Sequence, residues 1–169
     1  KVLNRLLMQY REIKLDDKIY KLFTNDLANS RKVIYCTDNC GEIVLDKLLI
    51  KYLTLYYPQL EIQVIVRGEE IGNDASIEDA ENISMQEVAA FEGNGTTIAG
   101  TSLHLLSDKL KKKFYKADMI ISKGQGNYET LSGSGLNIYY LFLCKCNHLQ
   151  KIFLAKFLDP IFSMECERR

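Results

Sequence analysis

The chain has no surplus of charge of either sign: 22 Lys and Arg balance 22 Asp and Glu in 169 residues. Without a cationic excess, nothing supports binding along a nucleic-acid backbone. Long apolar runs are absent too. The longest, residues 138–144 (IYYLFLC), is strand-sized and far short of a bilayer span, so no membrane association is expected. The first residues lack the charged, apolar and cleavage regions of a secretory signal; Lys1 and Val2 open a helix-like stretch already under way. Histidine is scarce, with only His104 and His148, which disfavours a Cys/His metal site. The five cysteines are an odd number, and Cys144 and Cys146 form C-x-C without a second pair at zinc spacing. They fit small buried hydrophobes in a reducing cytosol, so a cytoplasmic location is expected. Repeats, low-complexity tracts and a proline-rich linker are all missing. What is left is 47% hydrophobic and 26% charged, a composition ordinary for one globular domain over residues 1–169.

The patterning alternates strands with helices. Helices are expected over residues 3–13 and 16–29, where Leu15, Ile19, Leu22, Phe23 and Leu27 recur at helical spacing. Strands are expected over 32–37, 62–66, 118–122 and 137–143. A helix over 41–56 puts Ile43, Val44, Leu48, Leu49, Tyr52 and Leu53 on its apolar face, and Pro58 ends it. Short helices are expected over 76–82, with Ser76 as N-cap and Asp79 three residues on, and over 84–91. Residues 93–97 are turn chemistry that leads into a short strand, and 107–116 is an amphipathic helix whose Lys111–Lys113 run is a solvated face. The tail from Leu149 has no clean period. Continuous β-branched runs alternating with helices imply an α/β fold, a three-layer α/β/α sandwich with a mainly parallel sheet.

Three polar clusters follow the apolar runs: Asp38-Asn39-Cys40-Gly41-Glu42, Asn73-Asp74, and residues 123–129 (KGQGNYE). Open α/β sheets bind ligands beyond the carboxyl ends of their strands, so the clusters face one crevice. Two adjacent hard oxygen donors, Asp38 and Asn39, suit Mg²⁺ or Mn²⁺, although either alone could be the cap of the following helix. Asp74 offers a second carboxylate, although Asn73-Asp74 alone could be a plain turn. Gly41 lets the backbone pass close to a ligand at a helix N-terminus that favours anions. Lys123 can place a positive charge on a phosphoryl oxygen, Gly124 and Gly126 let backbone N–H groups approach, and Asn127 can donate an amide. The segment matches neither a Walker loop nor a first-strand dinucleotide fingerprint.

Together these segments resemble the metal-dependent damage-control phosphatases. VIYCTDNCGEIVLDKLL is similar to that family's strand–DNAGE–helix motif, IVRGEEIGNDASIEDA to its RG-x-x-x-x-NDA-x-x-x-DA motif, and ADMIISKGQGNYETL to its ADLIISKGQGNYETL segment. The likeness covers roughly residues 32–146, with three motifs in order. It departs at Cys40, where the family has alanine, and at Ala99, where it usually has proline. Family members also carry a substantial helical region ahead of the first motif, whereas about thirty residues precede it here, so the chain is expected to lack that region.

The resemblance implies hydrolysis of small phosphomonoesters such as sugar phosphates, with one divalent metal on Asp38, Asn39 and Asp74. Mg²⁺ or Mn²⁺ is expected, with Co²⁺ and Ni²⁺ as further options. It places the phosphate-binding lysine at Lys123, with Asn127 beside it. A metal-activated water is the expected nucleophile and direct attack by Asp38 the alternative. Glu42 is placed to orient water or accept a proton, its plainer reading being a first-turn glutamate favoured by the helix dipole. Arg67 is expected either at the substrate or in a salt bridge. The other classes weighed are a non-catalytic metal-and-phosphate-binding module and a methyltransferase, the latter prompted only by Gly93-Asn94-Gly95. The sequence does not name the substrate or the oligomeric state.

Overall fold

The computed structural model describes residues 15–165. The helix expected over 3–13 and Cys166 lie outside them. Six strands form one sheet in the order β3-β2-β1-β4-β5-β6. In chain order they are β1 (Lys32–Cys36), β2 (Glu61–Val66), β3 (Ala90–Gly93), β4 (Met119–Lys123), β5 (Ile138–Leu143) and β6 (Pro160–Met164). All neighbours pair in parallel except β5 and β6, which are antiparallel. The helices are α1 (Asp17–Asn29), α2 (Ile43–Tyr56), α3 (Ile77–Asn82), α4 (Asp108–Lys116), α5 (Gln125–Leu131) and α6 (Asn147–Phe153).

Strand periodicity splits the core into two layers. Val33 and Tyr35 of β1, with Met119 and Ile121 of β4, pack on one face beneath Leu27 of α1 and Ile43, Ile50 and Leu53 of α2. Ile34, Cys36 and Ile120 point the other way and meet Leu110 and Phe114 of α4, Leu131 of α5 and Leu149 of α6. Both sheet faces are therefore covered, as a parallel sheet requires, and the three-layer α/β/α reading holds.

Local signals explain several boundaries. Asp16 caps α1 by accepting from the backbone N–H groups of Lys18 and Ile19. Ser76 and Asp79 form the reciprocal capping box of α3. Asp118 accepts from the N–H groups of Arg31 and Lys32, tying the entry of β4 to that of β1.

Four expectations change. Residues 84–91 are not a helix: Ser84 takes a left-handed conformation, Met85–Glu87 makes one 3₁₀ turn, and β3 follows against β2. The 93–97 turn therefore leaves a strand and does not lead into one. On α2 the sheet-facing positions are Ile43, Asp46, Ile50 and Leu53, whereas Val44, Leu48 and Tyr52 are exposed. That helix is apolar nearly all round, so hydrophobicity alone could not set its phase. The tail resolves into α6 and β6, with Pro160 opening an edge strand, a position where its missing N–H costs no ladder bond. Among the described residues no helix is long and apolar enough to cross a membrane.

Candidate active site

The strand order reverses between β1 and β4, the place where a doubly wound sheet opens a crevice at its carboxyl edge. Both strands end in polar residues there. β1 runs through Thr37 into Asp38 and Asn39, and β4 ends at Lys123 and Gly124. The loop after β2 folds back onto β1. Asn39 and Asp74 form an isolated antiparallel bridge, Ala75 donates its N–H to the Asp38 carbonyl at 2.7 Å, and Cys40 donates to the Asn73 carbonyl at 2.9 Å. Two segments some thirty-five residues apart in sequence are thus brought into one cluster.

The cluster is crowded with carboxylates. The Asn39 side-chain N–H₂ donates to Asp38 Oδ2 at 2.8 Å and to Glu42 Oε1 at 3.3 Å. Burial raises the pKa of Asp38 above its ordinary value, and the nearby charges of Asp74 and Glu42 raise it further; Lys145 and Arg67 act in the opposite direction. Gly124, with φ of 86°, is the close-approach point: a Cβ there would overlap the Asp38 carboxylate. The donor set fits a hard divalent cation of the Mg²⁺ type, which takes one or two carboxylates and fills its other positions with water and phosphate. Among the described residues no group of three or more His, Cys, Asp or Glu side chains forms a ready-made cage, so the amide of Asn39 is needed as a third donor. Its nitrogen faces Asp38 here while its oxygen accepts from the Asn73 amide, so holding a cation requires that amide to turn.

Lys123 stands on the other wall. Its Nζ donates to Glu42 Oε2 at 2.7 Å and to Asp46 Oδ1 at 2.8 Å. Burial would lower its pKa, but Asp46 and Glu42 together more than offset this and raise it, so the ammonium stays charged. Asp46 is only 2% exposed and its Oδ1 also accepts from Tyr35 Oη at 2.7 Å. Asp46, Tyr35 and Lys145 escaped sequence reasoning. The available signal for Asp46 was a lone carboxylate inside the apolar run of α2, four residues after Glu42 and hence on the same face.

Two expected ligand contacts turn out to be internal. Arg67 is 1% exposed: its Nε donates to Asp74 Oδ2 at 2.6 Å, and its Nη1 to the Gly100 carbonyl, Thr101 Oγ1 and Asn127 Oδ1. Of the two readings for it, the salt bridge is realised. Asn127 is fully buried, with its Nδ2 donating to the carbonyls of Thr37 and Lys123. A side chain with both amide ends engaged braces the ends of β1 and β4 and has no donor to spare for phosphate. Gly126 lies within α5, where it packs on the 99–100 backbone. Gly41 is exposed, with open space around it. The Gly93-Asn94-Gly95 turn is structural as well. Asn94 accepts from the N–H groups of Gly68 and Thr96 and donates to the Gly100 carbonyl, leaving the methyltransferase reading without support.

A cavity of about 630 Å³ opens beside the cluster, with Asp38, Glu42, Lys123 and Gly124 at its polar end.

The strand reversal, with carboxylates and a braced lysine at its carboxyl edge, defines a doubly wound α/β domain with a polar crevice at its switch point. The family model for the damage-control phosphatase ARMT1-like domain matches residues 5–156, and the chain belongs to that family. It is 34% identical over 140 residues to the damage-control phosphatase PH1575 of Pyrococcus horikoshii, covering 80% of this chain and 48% of that protein. It is 39% identical over 120 residues to a damage-control phosphatase of Archaeoglobus fulgidus, covering 70% of this chain and 41% of that one. The crystal structure of the DUF89 family protein PH1575 superposes with a TM-score of 0.84 at 29% identity, over 97% of this chain and 57% of that one. The chain thus spans about half the length of these relatives.

Proposed function

We propose that this domain is a divalent-metal-dependent phosphomonoester hydrolase acting on small phosphorylated metabolites, sugar phosphates among them. The observation that carries the reading is the meeting of Asp38, Asn39 and Asp74 across the β1–loop bridge, opposite a lysine that its neighbours keep protonated. Asp38, Asn39 and Asp74 would hold the metal, which supplies charge screening at phosphorus and activation of a water.

The chain's own residues do the rest. Lys123 offers a fixed positive charge to the phosphoryl oxygens, and its two carboxylate partners hold it in place before substrate arrives. Glu42, touching both Asn39 and Lys123, sits where it can orient a water or take its proton. Arg67 fixes Asp74 from behind, so that carboxylate keeps its orientation. Gly124 lets the β4 turn pass against Asp38.

Cys40 is exposed but lies outside this scheme. A phosphocysteine enzyme surrounds its thiolate with a C-x₅-R loop, and residues 41–46 (GEIVLD) contain no arginine. The deciding experiment is phosphate release from a panel of sugar phosphates with Mg²⁺, Mn²⁺, Co²⁺ or Ni²⁺, with and without chelator. Metal-stimulated, chelator-sensitive release that survives Cys40→Ala supports the reading. Tight phosphate-ester binding without turnover under any metal would instead establish the non-catalytic module.

A further inference from the structure

We propose that the groove between α4 and the amino ends of β1, β2 and β3 binds a small polyphosphorylated ligand, such as a nucleoside triphosphate. It lies at the opposite edge of the sheet from the candidate active site.

The fold leaves a hollow there. α4 packs Leu110 and Phe114 with Ile34 of β1 and Ile120 of β4. Ile34 pairs with Gln63 and Gln63 with Ala90, so strand alternation turns these three residues, with Lys32 and Glu61, toward the same face. Glu61 and Ala90 are exposed, so α4 does not cover the amino ends of β2 and β3. The result is a cavity of about 500 Å³, a usual size for a small-molecule site. It shares no lining residue with the cavity beside Asp38. Lys32 and Asp38 mark the two edges, separated by about 20 Å of extended chain.

The groove's charge is one-sided. Lys109, Lys112, Lys113 and Lys116 recur at i, i+3, i+4 and i+7, which sets them on one face of α4, and all four line the groove. Lys32 lines it from β1. Lys113 pairs with Glu92 of β3. Among the described residues Lys109, Lys112 and Lys116 make no ion pair. Glu61, the carboxylate that lines the groove, is held by Arg31 at 2.9 Å.

A solvated face is the plain reading of a lysine run, and the helix dipole favours Lys113 and Lys116 in the last turn. The dipole disfavours Lys109 in the first turn, and like charges at i and i+4 repel. Acidic and basic residues balance over the whole chain, so three unpaired ammonium groups around one concavity are a local excess. Clustered phosphate oxygens relieve it: Lys109 and Lys116 are about 10 Å apart along the helix, within reach of flexible stems converging on a triphosphate. Ala90, with only a methyl group, leaves room over the sheet for the body that carries the phosphates.

The test is calorimetry with ATP, inorganic tripolyphosphate and adenosine, in the presence of a chelator. ATP and tripolyphosphate should bind saturably and adenosine should not. Both affinities should fall as salt rises from about 0.05 to about 0.5 M. Lys109→Gln/Lys112→Gln replaces exposed side chains without ion pairs, so it should keep the parent's unfolding midpoint while weakening both polyphosphates roughly tenfold or more. Lys123→Ala should leave both affinities unchanged. No saturable binding of either polyphosphate overturns the inference and leaves the lysines a solvated face. Binding that survives Lys109→Gln/Lys112→Gln overturns it as well, and its loss in Lys123→Ala would assign the polyphosphate to the candidate active site. Hexaglutamate bound through the same lysines more tightly than ATP overturns it in favour of an acidic protein partner. The phosphatase reading stands or falls separately, on metal-stimulated phosphate release.

Discussion

Lys123 Nζ and Asp46 Oδ1 lie 2.8 Å apart, a charge-assisted pair between the end of β4 and the buried face of α2. Tyr35 completes it by donating to the same carboxylate oxygen. The pair sets the height and direction of the ammonium over the crevice.

Lys123→Ala should therefore depress phosphatase turnover on the order of a hundredfold or more while leaving metal affinity nearly intact, because an ammonium contacts phosphate and repels cations. Asp46→Asn should lower turnover roughly tenfold or more by loosening Lys123, although Asp46 itself touches no substrate. Its effect should fall on kcat more than on KM. Steady-state kinetics beside metal titration calorimetry decides this, and unchanged turnover in Lys123→Ala would leave that lysine a purely structural partner of Asp46 and Glu42.

The two carboxylates of the metal reading should be separable. Among the described residues the Asp38 carboxylate accepts only from the Asn39 amide, whereas Asp74 neutralises Arg67, which is 1% exposed. Asp38→Asn and Asp74→Asn should both weaken Mn²⁺ binding, since each removes charge from a hard-cation site. Asp74→Asn should in addition cost about 3–5 kcal/mol of folding stability, because it strands a buried guanidinium. Urea unfolding of the metal-free proteins checks this: equal stability losses would mean that Arg67 does not depend on Asp74.

The sheet and the approximate site were legible because their signals are local. β1, β4 and β5 are β-branched or aromatic runs of strand length, and the polar clusters fall just beyond their ends. What could not be read needs tertiary context. β3 is a four-residue strand, AFEG, with no alternation, and it exists because β2 offers an open edge. The phase of α2 was hidden because leucines and tyrosines lie on every side of it. The internal roles of Arg67 and Asn127 follow from partners 4 to 90 residues away, among them Asp74 for the first and the Thr37 carbonyl for the second. Residue type alone suggests a ligand contact in both cases; burial assigns the brace.

Gly124→Ala should damage the site more than a one-carbon change normally does. The residue has φ of 86°, a region that costs an L-residue free energy, and the added methyl would meet the Asp38 carboxylate. The expected outcome is a destabilisation of about 1–3 kcal/mol together with weakened metal binding, because relief of the overlap moves Asp38. Gly133 also has a positive φ, but open space surrounds it, so Gly133→Ala should cost stability alone. If both variants bound metal as well as the parent, the contact between the β4 turn and Asp38 would be irrelevant to the site.

Asp118 makes a prediction about acid stability, away from the site. It accepts from the backbone N–H groups of Lys32 at 2.8 Å and Arg31 at 2.9 Å, and these bonds hold its carboxyl below the ordinary aspartate value of 3.8. Because the folded pKa is depressed, the carboxylate contributes stability above the unfolded pKa and loses it as pH falls through the folded one. The side chain is exposed, so solvent screening limits the contribution to about 1 kcal/mol or less. Asp118→Asn should accordingly be less stable than the parent near pH 7, with the gap closing as pH falls below the ordinary aspartate value of 3.8 and the parent's carboxylate is protonated. Denaturant midpoints across that range measure it. A gap that stays constant from neutral to acid would show that the shape of the side chain, and not its charge, ties β4 to β1.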